Sequence, residues 1–260
     1  MSNRQDSPTP PSRASATAMI RGAVADGLAT AAADLMVANL DDTVLMGCVG
    51  ASVADLDASD ATLVCVVLDM SGSMDPYRRA VVLAYEAMLR ALSASKGAAS
   101  ILLSTWAFAD TPKLLRGYEP VSWHRPLDDA DYRPEGMTAL YDTLLACMTG
   151  LVAYGQQLLD HGVPNRRVLF VLSDGADNVS RSSSLDVRTA ARALCAQEAY
   201  TLAYAGFGSQ DLAKLAAEVG FPAVVTTGAS ESELRRIFRQ VSASVIRVSQ
   251  SAAGGAGAFF

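Results

Sequence analysis

From residue 61 onward, apolar runs of strand length alternate with longer stretches in which apolar residues recur every three or four positions. ATLVCVVLD (61–69) is one continuous apolar run, the pattern of a strand covered on both faces. SILLSTWAFAD (100–110) and RVLFVLSD (167–174) repeat it, while PKLLRGYEPV (112–121) reads as a short edge strand. PYRRAVVLAYEAMLRALSAS (76–95), with Pro76 in its first turn, predicts a helix. So do TALYDTLLACMTGLVAYGQQLL (138–159), LDVRTAARALCAQEA (185–199) and DLAKLAAEV (211–219). YTLAYAGFG (200–208) and AVVTT (223–227) continue the alternation. A closing helix over 231–250 sets Leu234, Ile237, Val241, Val245 and Val248 on one face. Buried strands alternating with helices predict an α/β fold, a doubly wound, mostly parallel sheet flanked by helices. Ligands of such sheets sit beyond the carboxyl ends of the strands, where the strand order reverses.

The first sixty residues follow no such pattern. Residues 1–16 are polar and Pro/Ser-rich and read as a disordered N-terminus. Over 17–38 the spacing of Ile20, Val24, Leu28, Ala31 and Leu35 predicts one amphipathic helix. TVLMGCVG (43–50) suggests a strand or loop, and ADLDASD (54–60) an acidic linker. The expected organisation is therefore a helical extension and linker over 17–60, an α/β domain over 61–250, and a flexible tail over 251–260. An exposed apolar stripe is an aggregation hazard, so the extension is expected to lie against the domain through that stripe. The tail ends GGAGAFF and reads as frayed; the alternative is a tether that docks Phe259 and Phe260.

Composition narrows the partners. The net charge of −6 over 260 residues counts against a nucleic-acid backbone or an anionic membrane and suits cations or basic partners. Cys48, Cys65, Cys147 and Cys195 form no CxxC pair and there are two histidines, so a zinc cluster is not expected; the thiols fit a reducing compartment. MSNRQDSPTPPSRASAT has no apolar core of a signal peptide. The weakly polar stretch after it is interrupted by Arg21, Asp26 and Asp34, too often to span a bilayer. A cytoplasmic location is the expectation.

The chemistry concentrates at strand ends. In VVLDMSGSMD (66–75) an apolar run stops at Asp69 and is followed by Ser71 and Ser73. Alternate residues of an extended turn can point the same way, which brings these three side chains to one centre. GMTALYDTL adds Thr138, and LSDGADN adds Asp174 at the end of another buried run. Two carboxylates and three hydroxyls make an all-oxygen donor set suited to Mg²⁺ or Mn²⁺. Gly72, Gly136 and Gly175 let the three backbones approach. Plainer readings exist for the single residues. Asp69 and Thr138 are also helix-cap types, Asp177 and Asn178 turn formers, and Asp110 a strand-end turn residue or a support behind the site. Arg78 and Arg79 are either a solvated helix face or contacts for an acidic partner.

DMSGSM, GMTALYDTL and VLFVLSDGADN resemble, in order, the three motifs of the von Willebrand factor A (VWA) domain, over roughly residues 60–247. That family's metal-ion-dependent adhesion site is D-x-S-x-S, then a Thr, then an Asp. The resemblance implies that Ser71, Ser73 and Thr138 ligate directly, that Asp69 and Asp174 bind directly or through water, and that a partner's carboxylate fills an open position. FRQVSASVIRVSQS also resembles the end of small cytoplasmic bacterial VWA proteins, including those associated with tellurium resistance. The first 60 residues carry no resemblance. The expected function is divalent-metal-dependent binding of a protein partner that supplies an Asp or Glu, in a bacterial stress-response or ATPase-associated complex and without enzymatic activity. Two alternatives stand beside it. One is a metal-dependent hydrolase with His124 of the WHRP stretch as base. The other is a structural subunit of a larger assembly. A phosphotransferase of the haloacid dehalogenase type needs a second Asp where Ser71 stands, and neither GxxxxGK[ST] nor GxSxG occurs.

Overall fold

Every residue of the Ala61–Asp69 run is buried in the computed structural model, which describes residues 9–56, 58–208, 212–228, 230–250 and 259. This run is β1. It is joined by β2 (Ile101–Phe108), β3 (Pro112–Pro120), β4 (Asn165–Ser173), β5 (Tyr200–Phe207) and β6 (Ala223–Thr227) in one sheet of order β3-β2-β1-β4-β5-β6. All neighbours are parallel except β2 and β3, which pair antiparallel, and β3 stands at the end of the sheet as the expected edge strand. The chain winds outward from β1 through β2 to β3, then returns to the other side of β1 for β4. The reversal therefore falls between β1 and β4, and the strand ends there frame a crevice.

The helices are α1 (Arg13–Ala25), α2 (Thr30–Ala38), α3 (Asp42–Gly47), α4 (Arg78–Ser93), α5 (Leu140–Asp160), α6 (Ser184–Cys195), α7 (Leu212–Glu218) and α8 (Glu231–Gln250). The strand period of two sorts β1 into two cores. Val64, Val66 and Leu68 meet α4 and α8; Leu63, Cys65 and Val67 meet α5 and α6. Cys48, Cys65 and Cys147 are buried free thiols, and burial pushes Cys48 up to about 12, out of reach of thiolate chemistry.

The N-terminal region departs from expectation in three places. A helix begins at Arg13, inside the segment read as disordered, because the Ser12 hydroxyl accepts the Ser15 N–H at 3.1 Å and caps it. The single helix expected over 17–38 is two. Gly27 takes φ 105°, and behind it the Leu28 and Gly27 N–H groups donate back to Ala23 and Val24 at 2.9 and 3.2 Å, a glycine-terminated helix end. The 43–50 segment is mostly the helix α3, started by the Asp41 carboxylate accepting the Val44 N–H at 2.9 Å. Only Gly50 pairs with the sheet, as a single parallel bridge to Tyr118. Most of the stripe is covered: Ile20 and Leu28 are buried, and Val24 and Leu35 are partly so, in the same core as Leu63 and Leu151, whereas Ala31 is exposed. α1 and α3 lie on α5, and α2 lies on α6. Tyr154 of α5 stacks on Tyr118 at 5.1 Å and donates to the Ala51 carbonyl at 2.8 Å, fastening the extension down.

Most of the tail, 251–258 and 260, lies outside the described residues. Phe259 is 5 % exposed among α4 and α8 side chains, so a frayed end does not describe that position. Its carbonyl accepts from the Ser244 hydroxyl and, at 3.4 Å, from the Arg247 guanidinium. Among the described residues no helix is long and apolar enough to cross a membrane.

Candidate metal centre

β1 delivers Asp69 to the crevice as its last residue. The Met70 N–H still donates to the Phe108 carbonyl at 2.7 Å, extending the β1–β2 ladder by one bond. The chain then folds back, and the Ser71 N–H donates to Asp69 Oδ1 at 2.9 Å, an Asx-type turn. That turn sets Ser71 and Ser73 beside each other, hydroxyl to hydroxyl at 3.1 Å. Ser73 Oγ donates to Asp174 Oδ1 at 2.8 Å, across from the end of β4. Asp69, Ser71, Ser73 and Asp174 thus form one connected set on two neighbouring strand ends. Asp69 caps no helix, and Ser71 makes no side-chain cap either, so the capping alternative does not describe them.

Thr138 comes from the segment ahead of α5. It is 5 % exposed, and a Cβ built on Gly175 would stand 4.0 Å from its hydroxyl oxygen. It is not the helix cap; Ala139 holds that position and offers no side-chain bond. The segment is pinned from three sides. Glu135 N–H donates to the Met70 carbonyl at 2.9 Å, and the Gly136 carbonyl accepts from Gly72 N–H at 3.1 Å. Met137 N–H donates to Asp110 Oδ1 at 2.9 Å, and Ala139 N–H to the Ala109 carbonyl at 2.8 Å. Thr138 N–H donates to Asn178 Oδ1 at 2.8 Å. Gly136 is required: its φ is 76°, and a Cβ there would fall 2.8 Å from an Asp110 oxygen.

Electrostatically the site is short of positive charge. Asp69 is 0 % exposed and Ser71 2 %, whereas Ser73 is exposed and Asp174 half-buried, so the set opens to solvent on one side. No Lys or Arg forms an ion pair with either carboxylate among the described residues. Burial pushes Asp69 up to about 6; hydrogen bonds from Ser173 and Ser71 oppose the rise, and the Asp174 charge adds to it. Burial also raises Asp174, against the Ser73 hydrogen bond. A hard divalent cation fits this donor set, since it has only oxygens, two of them carboxylates held without a counter-charge. No group of three or more His, Cys, Asp or Glu side chains suited to a metal occurs among the described residues. The hydroxyls are therefore essential to any ligand count here.

Several residues that shape the site escape a motif reading. Ser173 Oγ donates to Asp69 Oδ2 at 2.5 Å from behind; its one sequence signal is a polar residue closing an apolar run. The buried Tyr132 hydroxyl donates to the Asp69 carbonyl at 2.5 Å and ties the 121–136 loop under the site. Asp110 supports the Thr138 segment. Asp177 forms a local turn with the Ser180 N–H at 3.3 Å, but it and Asn178 also reach across to the α5 segment. Arg78 is occupied by the same polar loop, bonding the Tyr132 and Asp129 carbonyls at 3.1 and 2.9 Å.

His124 lies elsewhere. Its Nε2 is 2.8 Å from the Leu103 carbonyl. Leu103 pairs with Val64, whereas Phe108 pairs with Asp69. That separation is about 16 Å along the strand at roughly 3.3 Å per residue.

No family model matches the sequence, and no curated protein matches it. Solved structures do. The pilus adhesin SpaC from Lactobacillus rhamnosus GG in its open conformation matches with a TM-score of 0.56 at 11 % identity, over 73 % of this chain and 30 % of that one. The PilB minor pilin from Streptococcus sanguinis matches with a TM-score of 0.52 at 13 % identity, over 77 % and 64 %. The ArnB paralog VWA2 from Sulfolobus acidocaldarius matches with a TM-score of 0.47 at 15 % identity, over 70 % and 45 %. This chain spans less than a third of SpaC and less than two thirds of PilB. At these identities the likeness is one of fold.

Proposed function

We propose that this chain is a VWA-type module that binds a protein partner through a divalent cation, Mg²⁺ or Mn²⁺. The observation that carries the reading is the pair Asp69 and Asp174. They meet at the reversal of strand order, linked through Ser71 and Ser73, and among the described residues no Lys or Arg forms an ion pair with either. Asp69, Ser71, Ser73, Thr138 and Asp174 would hold the ion. When bound, it supplies positive charge and an exchangeable coordination position for a carboxylate of the partner. The chain's own residues do the rest. Ser173 and the Ser71 N–H fix the buried Asp69, while Ser73 and Asp174 face solvent, where a partner approaches. The position of His124 against β2 favours binding over hydrolysis, since a general base must reach the reacting water. The resemblance of 238–251 to small cytoplasmic bacterial VWA proteins supports a place in an intracellular complex.

Mn²⁺ titration followed by electron paramagnetic resonance tests the reading directly. One weakly held ion per chain is expected, because open-sided sites of this kind keep several waters. Asp69→Ala should abolish it. Undiminished Mn²⁺ binding by that variant would refute the assignment.

A further inference from the structure

We infer that Asn178, within a clasp linking the loop after β4 to the start of α5, is a positioning residue that holds Thr138 at the candidate metal centre. The inference rests on the cation reading above. One side chain and one peptide group of Asn178 take both backbone polar groups of Thr138. Its Oδ1 accepts the Thr138 N–H at 2.8 Å, and its own N–H donates to the Thr138 carbonyl at 3.1 Å. The clasp continues along the helix start. Tyr141 N–H donates to Asp177 Oδ1 at 3.1 Å, and Asp142 N–H to Ser180 Oγ at 3.0 Å. In return, the Asp142 carboxylate accepts Ser182 and Arg181 N–H at 2.9 and 3.0 Å.

A helix start leaves N–H groups without partners in its own chain direction, and a side chain just ahead of it ordinarily fills one of them. Here Ala139 cannot, so the loop that follows Asp174 caps α5 from across the crevice. The same bonds order that loop, since no regular element covers residues 175–183. Thr138 and Asp174, which come from different parts of the chain, are thereby locked to one another before any ion arrives. Asn178 itself is exposed, so its substitution leaves both cores intact. Residues that orient metal ligands without touching the metal typically change affinity by about 10–100-fold when removed.

The test uses the full chain as wild type, Asn178→Ala, Asn178→Asp and Asp69→Ala. Mn²⁺ affinity is measured by paramagnetic resonance well below the melting temperature, and exchange of the Thr138 amide is followed by NMR in EDTA. Asn178→Ala should bind Mn²⁺ about 10–100-fold more weakly and exchange the Thr138 amide faster, with little change in melting. Asn178→Asp keeps the accepting oxygen and should restore both. Wild-type affinity in Asn178→Ala, or no rescue by Asn178→Asp, overturns the positioning role while leaving the cation reading in place. Absence of Mn²⁺ binding by the wild type overturns the cation reading and this inference with it.

Discussion

Replacing Asp69 with Asn should stabilise the metal-free protein while removing its affinity for a divalent cation. The Asp69 carboxyl is fully buried, and burial moves it from the ordinary 3.8 up to about 6, against hydrogen bonds from Ser173 and Ser71. Between those two values the folded protein keeps a proton that the unfolded chain has released. The contribution of this group to stability is therefore fully present below 3.8, and it is lost as pH rises through about 6. At about 1.36 kcal/mol for each pKa unit, ionised Asp69 costs about 3 kcal/mol at pH 7.5, of which about 1 kcal/mol is already present at pH 4.5. Asn fits the same space without that cost. Its oxygen can accept the Ser71 N–H, and Ser173 Oγ can turn its proton to the Gly175 carbonyl at 3.2 Å while accepting from the new amide. Urea unfolding in EDTA at the two pH values is the assay. The advantage of Asp69→Asn should grow by about 2 kcal/mol from pH 4.5 to 7.5, or about 4–8 °C in melting temperature for a chain of this size. Added Mg²⁺ should then raise the wild type and leave the variant where it is. An advantage that does not change with pH, or a variant less stable than wild type at pH 7.5, would refute the reasoning.

Thr138→Ala and Asp174→Ala should each weaken Mn²⁺ binding at least about tenfold while changing stability in EDTA by about 1 kcal/mol or less, since neither belongs to the apolar cores. If both variants fail to fold, judged by circular dichroism, the site serves the fold and the binding reading falls. Phe259→Ala should destabilise by about 3 kcal/mol, the range for emptying a buried aromatic site, and an unchanged urea midpoint would show that Phe259 does not dock. His124 should show no imidazole titration by NMR between pH 5.5 and 8. Burial against β2 lowers it to about 4, with the bond to Leu103 opposing, so its neutral form supports the fold, and that support is lost as pH falls from 6.5 through about 4. A midpoint near 6.5 would place the ring in water and reopen the hydrolase alternative.

The strands and the candidate ligands were legible in the chain for one shared reason. β1, β2 and the Val168–Leu172 part of β4 are buried on both faces, so each writes an apolar run, broken only by Ser104 and Thr105 in β2, and the polar residues that follow the runs of β1 and β4 mark strand ends in the crevice. Asp69 is such a residue, and Asp174 comes directly after Ser173, the last residue of β4. Spacing then brings in Ser71 and Ser73, because the Asx turn at Asp69 is local. The clasp was not legible. Asp177 and Asn178 are turn-forming residue types, but only Asp177 makes a local turn bond, and the partners that matter, Tyr141 and Thr138, lie 36 and 40 positions away. Tyr132 is 63 positions from the carbonyl it holds. A residue whose function is a bond to another backbone carries no pattern of its own until the sheet has brought the two loops together.

The N-terminal helices show the opposite case, a signal present in the chain but written on a different element. A helix lying on one face of a sheet needs an apolar stripe, whereas α5 is apolar nearly all round and every residue from Thr143 to Gln156 is buried. Such a helix requires a second cover on its outer side. α1 and α3 are that cover, which places Ile20 of α1 and Val44 of α3 in one continuous core with Leu63 and Leu151. The break at Gly27 follows from the same geometry. A straight helix through residue 38 could follow only one underlying helix, and the turn at Gly27 lets α1 lie on α5 while α2 passes on to α6. The periodicity reported burial before the bend better than after it: Ile20 and Leu28 are buried, but beyond Gly27 Ala31 is exposed and the buried residues are Ala32, Ala33 and Met36, because a glycine that ends a helix also resets the phase of the apolar face.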